Sequence, residues 1–167
     1  MIRVAVTADE VPPLLDRLSD AMIDMAPVMY EIGELLTKST KERFLEGRNP
    51  DGNPWAPKTA ATLAAYAKRG DRLDTRPLFG PSGRLSSEIN YLVGEDGASV
   101  EIGSNLIYSG VMQGGAAAGA FGRTVAGSPI PWGNIPARPF LGISESDEAE
   151  LLATLEEWLD RVARGTD

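Results

Sequence analysis

Apolar positions along the chain follow two rhythms, and each change of rhythm marks an element. Residues 2–7 alternate, with Ile2, Val4 and Val6 on one side and Arg3, Ala5 and Thr7 on the other. That period of two predicts a half-buried strand. Asp9 to Pro13 ends it and opens a helix, because proline is tolerated in a first turn. Leu15, Leu18, Met22, Met25, Met29, Ile32 and Leu36 then recur at spacings of three and four, and Phe44 prolongs the stripe. Pro27 interrupts without shifting the phase. A proline inside a helix removes a hydrogen bond and clashes with the carbonyl four residues back, here that of Ile23. The run over 12–45 therefore predicts one kinked helix, or two nearly collinear helices meeting at Pro27. The repeat is short for a coiled coil, so the expected partner of the stripe is a sheet.

Residues 46–58 predict a loop, in which Pro50-Asp51-Gly52 supplies a turn and Trp55, between two prolines, an anchor in the core. Thr59 to Lys68 predicts a short helix with Thr59 near its cap, and Gly70 to Arg76 a polar, mobile link. Leu78 and Phe79 form a short apolar patch, and Ser82 is placed to cap a brief helix running through Glu88. Ile89, Tyr91 and Val93 alternate, Gly94-Glu95-Asp96-Gly97 turns, and Ala98, Val100 and Ile102 alternate again. That is a β-hairpin signature. A helical turn is expected around Tyr108 to Gln113.

From Gly114 to Gly133 the pattern dissolves into glycine, alanine, serine and proline. A loop of such length inside a domain is usually functional or disordered. Ile135-Pro136-Ala137-Arg138-Pro139-Phe140 restores order. Each proline biases the residue before it away from helix, so Ile135 and Arg138 are expected extended, along a sheet edge. Ser144 and Asp147 then stand as a capping pair. Behind them Leu151, Leu155, Trp158 and Val162 share one face of a last helix, with Leu152 and Leu159 beside them and acids opposite. The expected fold is α+β: a small antiparallel sheet packed against a long N-terminal helix and an amphipathic C-terminal helix. The chain is expected to be a single domain over 1–167, with long loops at 46–58 and 114–134.

Composition mostly removes possibilities. No apolar run approaches the roughly 20 residues of a membrane span, and the first residues lack the length and flanks of a signal peptide. Synthesis and folding in a cytoplasm, away from membranes, are expected. The chain has no cysteine and no histidine. Disulfides, thiolate or imidazole metal sites, and Ser-His-Asp or Cys-His catalysis are thereby excluded. The net charge is −8 and uneven: residues 141–167 carry eight acids against Arg161 and Arg164. Nucleic-acid binders show the opposite sign on their working face. The Gly114–Gly122 stretch lacks the lysine and the spacing of a phosphate loop. Asp71 with Asp74, or Glu95 with Asp96, are the pairs available to a carboxylate glycosidase, but both sit in expected turns. No enzyme activity and no cofactor are expected.

Four blocks stand in order. Phe44 precedes Pro50-Asp51-Gly52, Pro54-Trp55-Ala56-Pro57 and Thr59; Leu78 leads to Ser82-Gly83-Arg84-Leu85 and Ile89; Val100-Glu101-Ile102-Gly103-Ser104-Asn105 leads to Tyr108, Gln113 and Gly115; and Ile135-Pro136-Ala137-Arg138-Pro139-Phe140-Leu141-Gly142 precedes the last helix. Over about residues 40–160 this arrangement resembles the phage virion morphogenesis, or tail completion, family. Met112 departs from the histidine common in relatives, and the 114–133 stretch is long.

The resemblance implies a non-enzymatic, tail-terminator-like fold that assembles as a ring, commonly hexameric. Its implied place is the head-proximal end of a phage tail, completing the tail and supporting head–tail joining. The implied partners are its own copies, tail tube and head-connector proteins, and genomic DNA that passes without specific binding. The expected location is the virion neck, after assembly in the host cytoplasm. Tyr108, Gln113, Phe121, Arg123, Trp132, Arg138 and Phe140 are the expected assembly contacts. Glu148, Glu156, Glu157 and Asp160 are expected on an acidic helix face toward the DNA channel. The alternatives are a small cell-wall glycosidase and a DNA-binding neck component.

Overall fold

The computed structural model describes residues 11–165, so the expected strand at 2–7 lies outside the described residues. Helix α1 spans Val11–Ile23 and α2 spans Ala26–Glu46. The long stripe is therefore two helices rather than one. The Asp24 carboxylate accepts the Ala26 N–H at 3.1 Å where the chain restarts. Pro27 falls in the first turn of α2, where its missing N–H has no partner to lose. Leu18, Met25 and Met29 of the stripe pack into the core as expected. Leu15 and Met22, also expected inside, are each 58% exposed, and Ala21, off the stripe, packs beside Leu18.

The remaining elements are α3 at Ala60–Arg69, α4 at Arg84–Ser87, β1 at Asn90–Val93, β2 at Val100–Gly103, α5 at Ser109–Gly114 and α6 at Glu145–Arg164. The fold is α+β. Strands β1 and β2 pair antiparallel, with Tyr91 opposite Ile102 and Val93 opposite Val100. Thr59 caps α3 by accepting the Thr62 N–H at 3.2 Å. Gly83, with φ of 65°, occupies the cap position of α4, which leaves Ser82 one residue too early for the role expected of it. Ser144 and Asp147 form the expected reciprocal box at the start of α6.

Helix α2 is central. One side meets the hairpin, and Gly33 lies there because a Cβ would overlap the Tyr91 ring. The other side meets α6. Val28, Ile32 and Leu36 of α2 bury against Trp158 and Val162 of α6. A second core collects Phe44, Trp55, Leu78, Leu85, Ile89 and Phe140. Phe44 is its hub, with the Phe140 ring at 5.3 Å and the Trp55 ring at 5.6 Å between centroids. Thus Phe44, although on the α2 stripe by spacing, turns away from α6 and into this cluster. Ile102 of β2 touches both clusters and joins them.

Candidate functional site

The extended segment after the glycine-rich stretch is held by a buried polar frame. Arg43 and Asp147 lie only 6% and 3% exposed and form an ion pair. Arg43 Nη1 donates to the carbonyls of Phe140 at 3.1 Å and Gly142 at 2.7 Å, while its Nη2 donates to Ser39 Oγ and Asp147. Asp147 also accepts from Ser39 Oγ and from the Ser144 N–H and hydroxyl, the last two at 2.7 Å. One charge pair thereby joins α2, the 140–142 segment and the first turn of α6. Burial by itself pushes the Asp147 carboxyl up. The Ser39 and Ser144 hydrogen bonds and the Arg43 charge outweigh it and hold the group below its ordinary value.

A second clamp lies next to this one. Arg138 donates through Nε to the Ala56 carbonyl at 2.7 Å and through Nη2 to that of Pro57 at 3.2 Å. Burial pushes its guanidinium down, and the nearby Tyr66 partly opposes the shift. Trp55 Nε1 donates to the Pro139 carbonyl at 2.8 Å, so it anchors the 46–58 loop by a bond as well as by packing. Gln113 acts as a strand would. Its Oε1 accepts the N–H groups of Phe140 at 2.9 Å and Leu141 at 3.0 Å, and its Nε2 donates to the Leu141 carbonyl at 2.9 Å.

These contacts bury two of the expected assembly residues, Arg138 and Phe140, and leave Gln113 half-buried. Arg138, Phe140 and Gln113 were expected to meet a neighbouring subunit. Phe140 instead has no exposed surface, Arg138 is 7% exposed, and the polar atoms of Gln113 are engaged within the chain. Pro-Arg-Pro stiffness here serves internal docking. The link expected to be mobile at 70–76 is also tied. Arg76 clasps Asp74, and Lys58 Nζ donates to the carbonyls of Asp74 and Phe79, each at 2.5 Å.

The glycine-rich stretch is built as an arm. Ala116 and Ile135 exchange both backbone hydrogen bonds at its base, at 2.9 and 2.8 Å. Gly119 N–H to Pro131 O, Phe121 N–H to Ile130 O and Ile130 N–H to Gly122 O form further rungs, and Thr124 to Ser128 closes the tip. Gly115, at φ of 72°, makes the departure possible: a Cβ there would stand 2.7 Å from the Ala137 nitrogen and the Ile135 oxygen. The ladder satisfies the backbone but leaves the side chains outside. Trp132 is 89% exposed and Phe121 57%, and Val125 and Ile130 are exposed with them. Isolated apolar residues on a surface mean little; four on one arm do. Arg123 is on the same arm and donates to the Gly127 carbonyl at 2.8 Å. Tyr108 is exposed but sits apart, at the start of α5 beside the fully exposed Ile107.

A separate apolar groove of about 540 Å³ runs along the outer face of α2, between Thr37, Lys41, Leu45, Phe79, Ser87 and Tyr91. Leu45 is 64% exposed there, and the Thr37 hydroxyl is shielded from water without a hydrogen-bond partner. Glu148, Glu156, Glu157 and Asp160 are all exposed on α6, as the helical spacing requires, with Asp160 paired to Arg164 at 2.8 Å.

The carboxylate pairs do not make an acid–base site. Asp74 is held down to about 2, first by its hydrogen bonds from Arg76, and Asp71 pairs with Arg69 at 2.8 Å. A glycosidase needs one carboxyl that keeps its proton near neutrality. Asp96 accepts the Ala98 N–H at 3.0 Å and serves its turn. Among the described residues no acidic cluster could hold a metal ion, and no helix is long and apolar enough to cross a membrane.

Arg43 was not singled out from sequence. Its signal was a cation on the buried phase of α2, three and seven residues after Thr40 and Leu36.

The phage virion morphogenesis family matches residues 6–160 of the chain. A curated protein, the Mu-like prophage FluMu G protein 2 of Haemophilus influenzae, is 29% identical over 160 residues, covering 95% of this chain and 96% of that one. No solved structure matches.

Proposed function

Because the chain belongs to the phage virion morphogenesis family, with a structural role in building a phage particle, we propose that it completes the head-proximal end of a tail as a ring of identical copies. In that position it joins tail tube to head connector. The observation that carries this reading is the ordered arm that lifts Phe121, Val125, Ile130 and Trp132 out of the subunit and leaves them uncovered. A free monomer has no use for such a surface, whereas head-to-tail contact between unlike patches of identical copies closes into a ring. The full match to a Mu-like prophage protein supports a place in a tailed particle.

The test is imaging of particles made with the chain tagged. A single ring at the tail–head junction is expected, and particles lacking the chain should yield unjoined heads and tails. A copy scattered along the particle, or normal joining in its absence, overturns the proposal.

Charge favours a second element of the same reading. The excess of acids after residue 141 lies largely on the exposed face of α6. Facing a channel, Glu148, Glu156, Glu157 and Asp160 repel phosphate and let DNA slide without specific binding. Placement of α6 on the outer wall of the ring removes this element and leaves the ring intact.

A further inference from the structure

The arm and the groove are both apolar, share no residue, and are both left uncovered by the described residues. We propose that the occupant of the α2 groove is the arm of a second copy, with Trp132 entering between Leu45, Phe79 and Tyr91. This deepens the ring reading above and rests on it.

Charge singles out a second copy as the occupant. Two chains of net charge −8 repel each other. The arm is the part of the surface exempt from that repulsion, since residues 114–133 hold Arg123 and no acid. On the receiving side Glu34 and Glu42 edge the groove, offset by Lys38 and Lys41, so an acid-free arm with one arginine meets no net opposition.

Chemistry fits as well. A buried tryptophan needs a partner for its indole N–H. The rim of the groove offers acceptors in the side chains of Glu34, Glu42, Ser86 and Ser87. Closing the site therefore gives the indole a polar partner as well as covering apolar surface.

Size sets the character of the contact. Two aromatic side chains and two aliphatic ones bury on the order of 400 Å² on the arm side, taking about 150–250 Å² for a fully covered aromatic. With the matching surface of the groove, a joint totals about 800 Å², below the usual range for a specific contact. One joint alone is thus weak. Each copy in a closed ring makes two, as donor and as acceptor, so closure stabilises what a pair does not. The arm and groove of one chain are different patches, which makes the contact head-to-tail.

The test uses Trp132→Asp and Leu45→Asp. Both side chains are exposed in the subunit, so helicity should stay at the wild-type value, and Tm should match that of the wild type diluted until its rings dissociate. Sedimentation at concentrations where the wild type forms rings should show each variant as a monomer. An equimolar mixture keeps one intact joint per pair, the arm of the groove variant in the groove of the arm variant, which is too weak to hold a dimer in sedimentation and should leave both variants monomeric. A cross-link gives an independent readout. The chain contains no cysteine, so Gly133→Cys beside Trp132 on one copy and Ser87→Cys on another should yield a disulfide-linked heterodimer under oxidation. Rings that persist in both variants overturn the arm-in-groove contact and leave the ring itself standing. A cysteine pair that yields no linked heterodimer under oxidation overturns it too. A wild type that stays monomeric in solution and in the particle overturns the ring and this contact together.

Discussion

Removing the Asp147 carboxylate should destabilise the subunit far more than loss of an ordinary helix cap. Asp147→Ala leaves the Arg43 guanidinium buried without its counter-charge and strips acceptors from Ser39 and Ser144. Breaking one side of a buried pair costs about 3–5 kcal/mol. At about 2–4 °C per kcal/mol for a chain of this size, the expected fall in Tm is about 6–20 °C. Arg43→Met should cost a similar amount, since it orphans Asp147 together with the carbonyls of Phe140 and Gly142.

The double variant Arg43→Met with Asp147→Leu is the discriminating case. Replacing an isolated buried pair by apolar residues is often neutral or stabilising. Here the two carbonyls remain without a donor, at about 1–3 kcal/mol each. The double variant should therefore lose less than the sum of the single losses, yet stay at least about 2 kcal/mol below wild type. Urea unfolding followed by tryptophan fluorescence and far-UV dichroism measures all three. A single variant that loses under about 1 kcal/mol, or a double variant as stable as wild type, refutes the assignment of Arg43 as the tie between α2, the 140–142 segment and α6.

Three further outcomes follow from the same frame. The folded Asp147 carboxyl lies below its ordinary value, so the unfolded chain takes up its proton first as pH falls; the stability it contributes is complete at neutral pH and is lost through the acid range below about pH 4. Asp147→Asn should flatten that acid limb in a pH series of urea midpoints. Arg138→Ala should release the Ala56 and Pro57 carbonyls at a loss of about 2 kcal/mol, seen as faster amide exchange over 46–58, with Arg138→Lys restoring only part because one ammonium does not span both acceptors as a fork does. Gly115→Ala should unseat the arm base, where φ is 72° and a Cβ would meet backbone at 2.7 Å; exchange protection of Ala116 and Ile135 should vanish while that of α2 persists.

Local grammar made much of the fold legible. The hairpin, the Ser144–Asp147 box, the Thr59 cap and the inward face of α6 each follow from a few neighbouring residues, and the structure has them all. What escaped depends on partners distant in sequence. Asp147 was readable as a cap, but its pairing with Arg43 spans 104 residues and no local rule reports it. Leu15 and Met22 are exposed although they share the stripe with the packed Leu18 and Met25, and spacing alone does not report how far along a helix its packing partner reaches. For the candidate site, Phe121, Arg123 and Trp132 were picked by composition, and the structure places them together on one arm. Arg138 and Phe140 stand in a stiff motif, and Gln113 stands outside it on α5. Stiffness says that a segment is held, not by what, and here the holder is the subunit's own loop.

The paired hydrogen bonds between Ala116 and Ile135 pin both ends of the arm at a single point. Whatever lies beyond that point can lengthen at small entropic cost, since doubling a loop adds only about 0.6 kcal/mol. The arm is thus free to drift in sequence and reach while the body keeps its shape. A particle that changes the width or chemistry of its tail could be followed by altering a few residues beyond that knot, and a peptide tag grafted between Thr124 and Ser128 should leave the helices as they are.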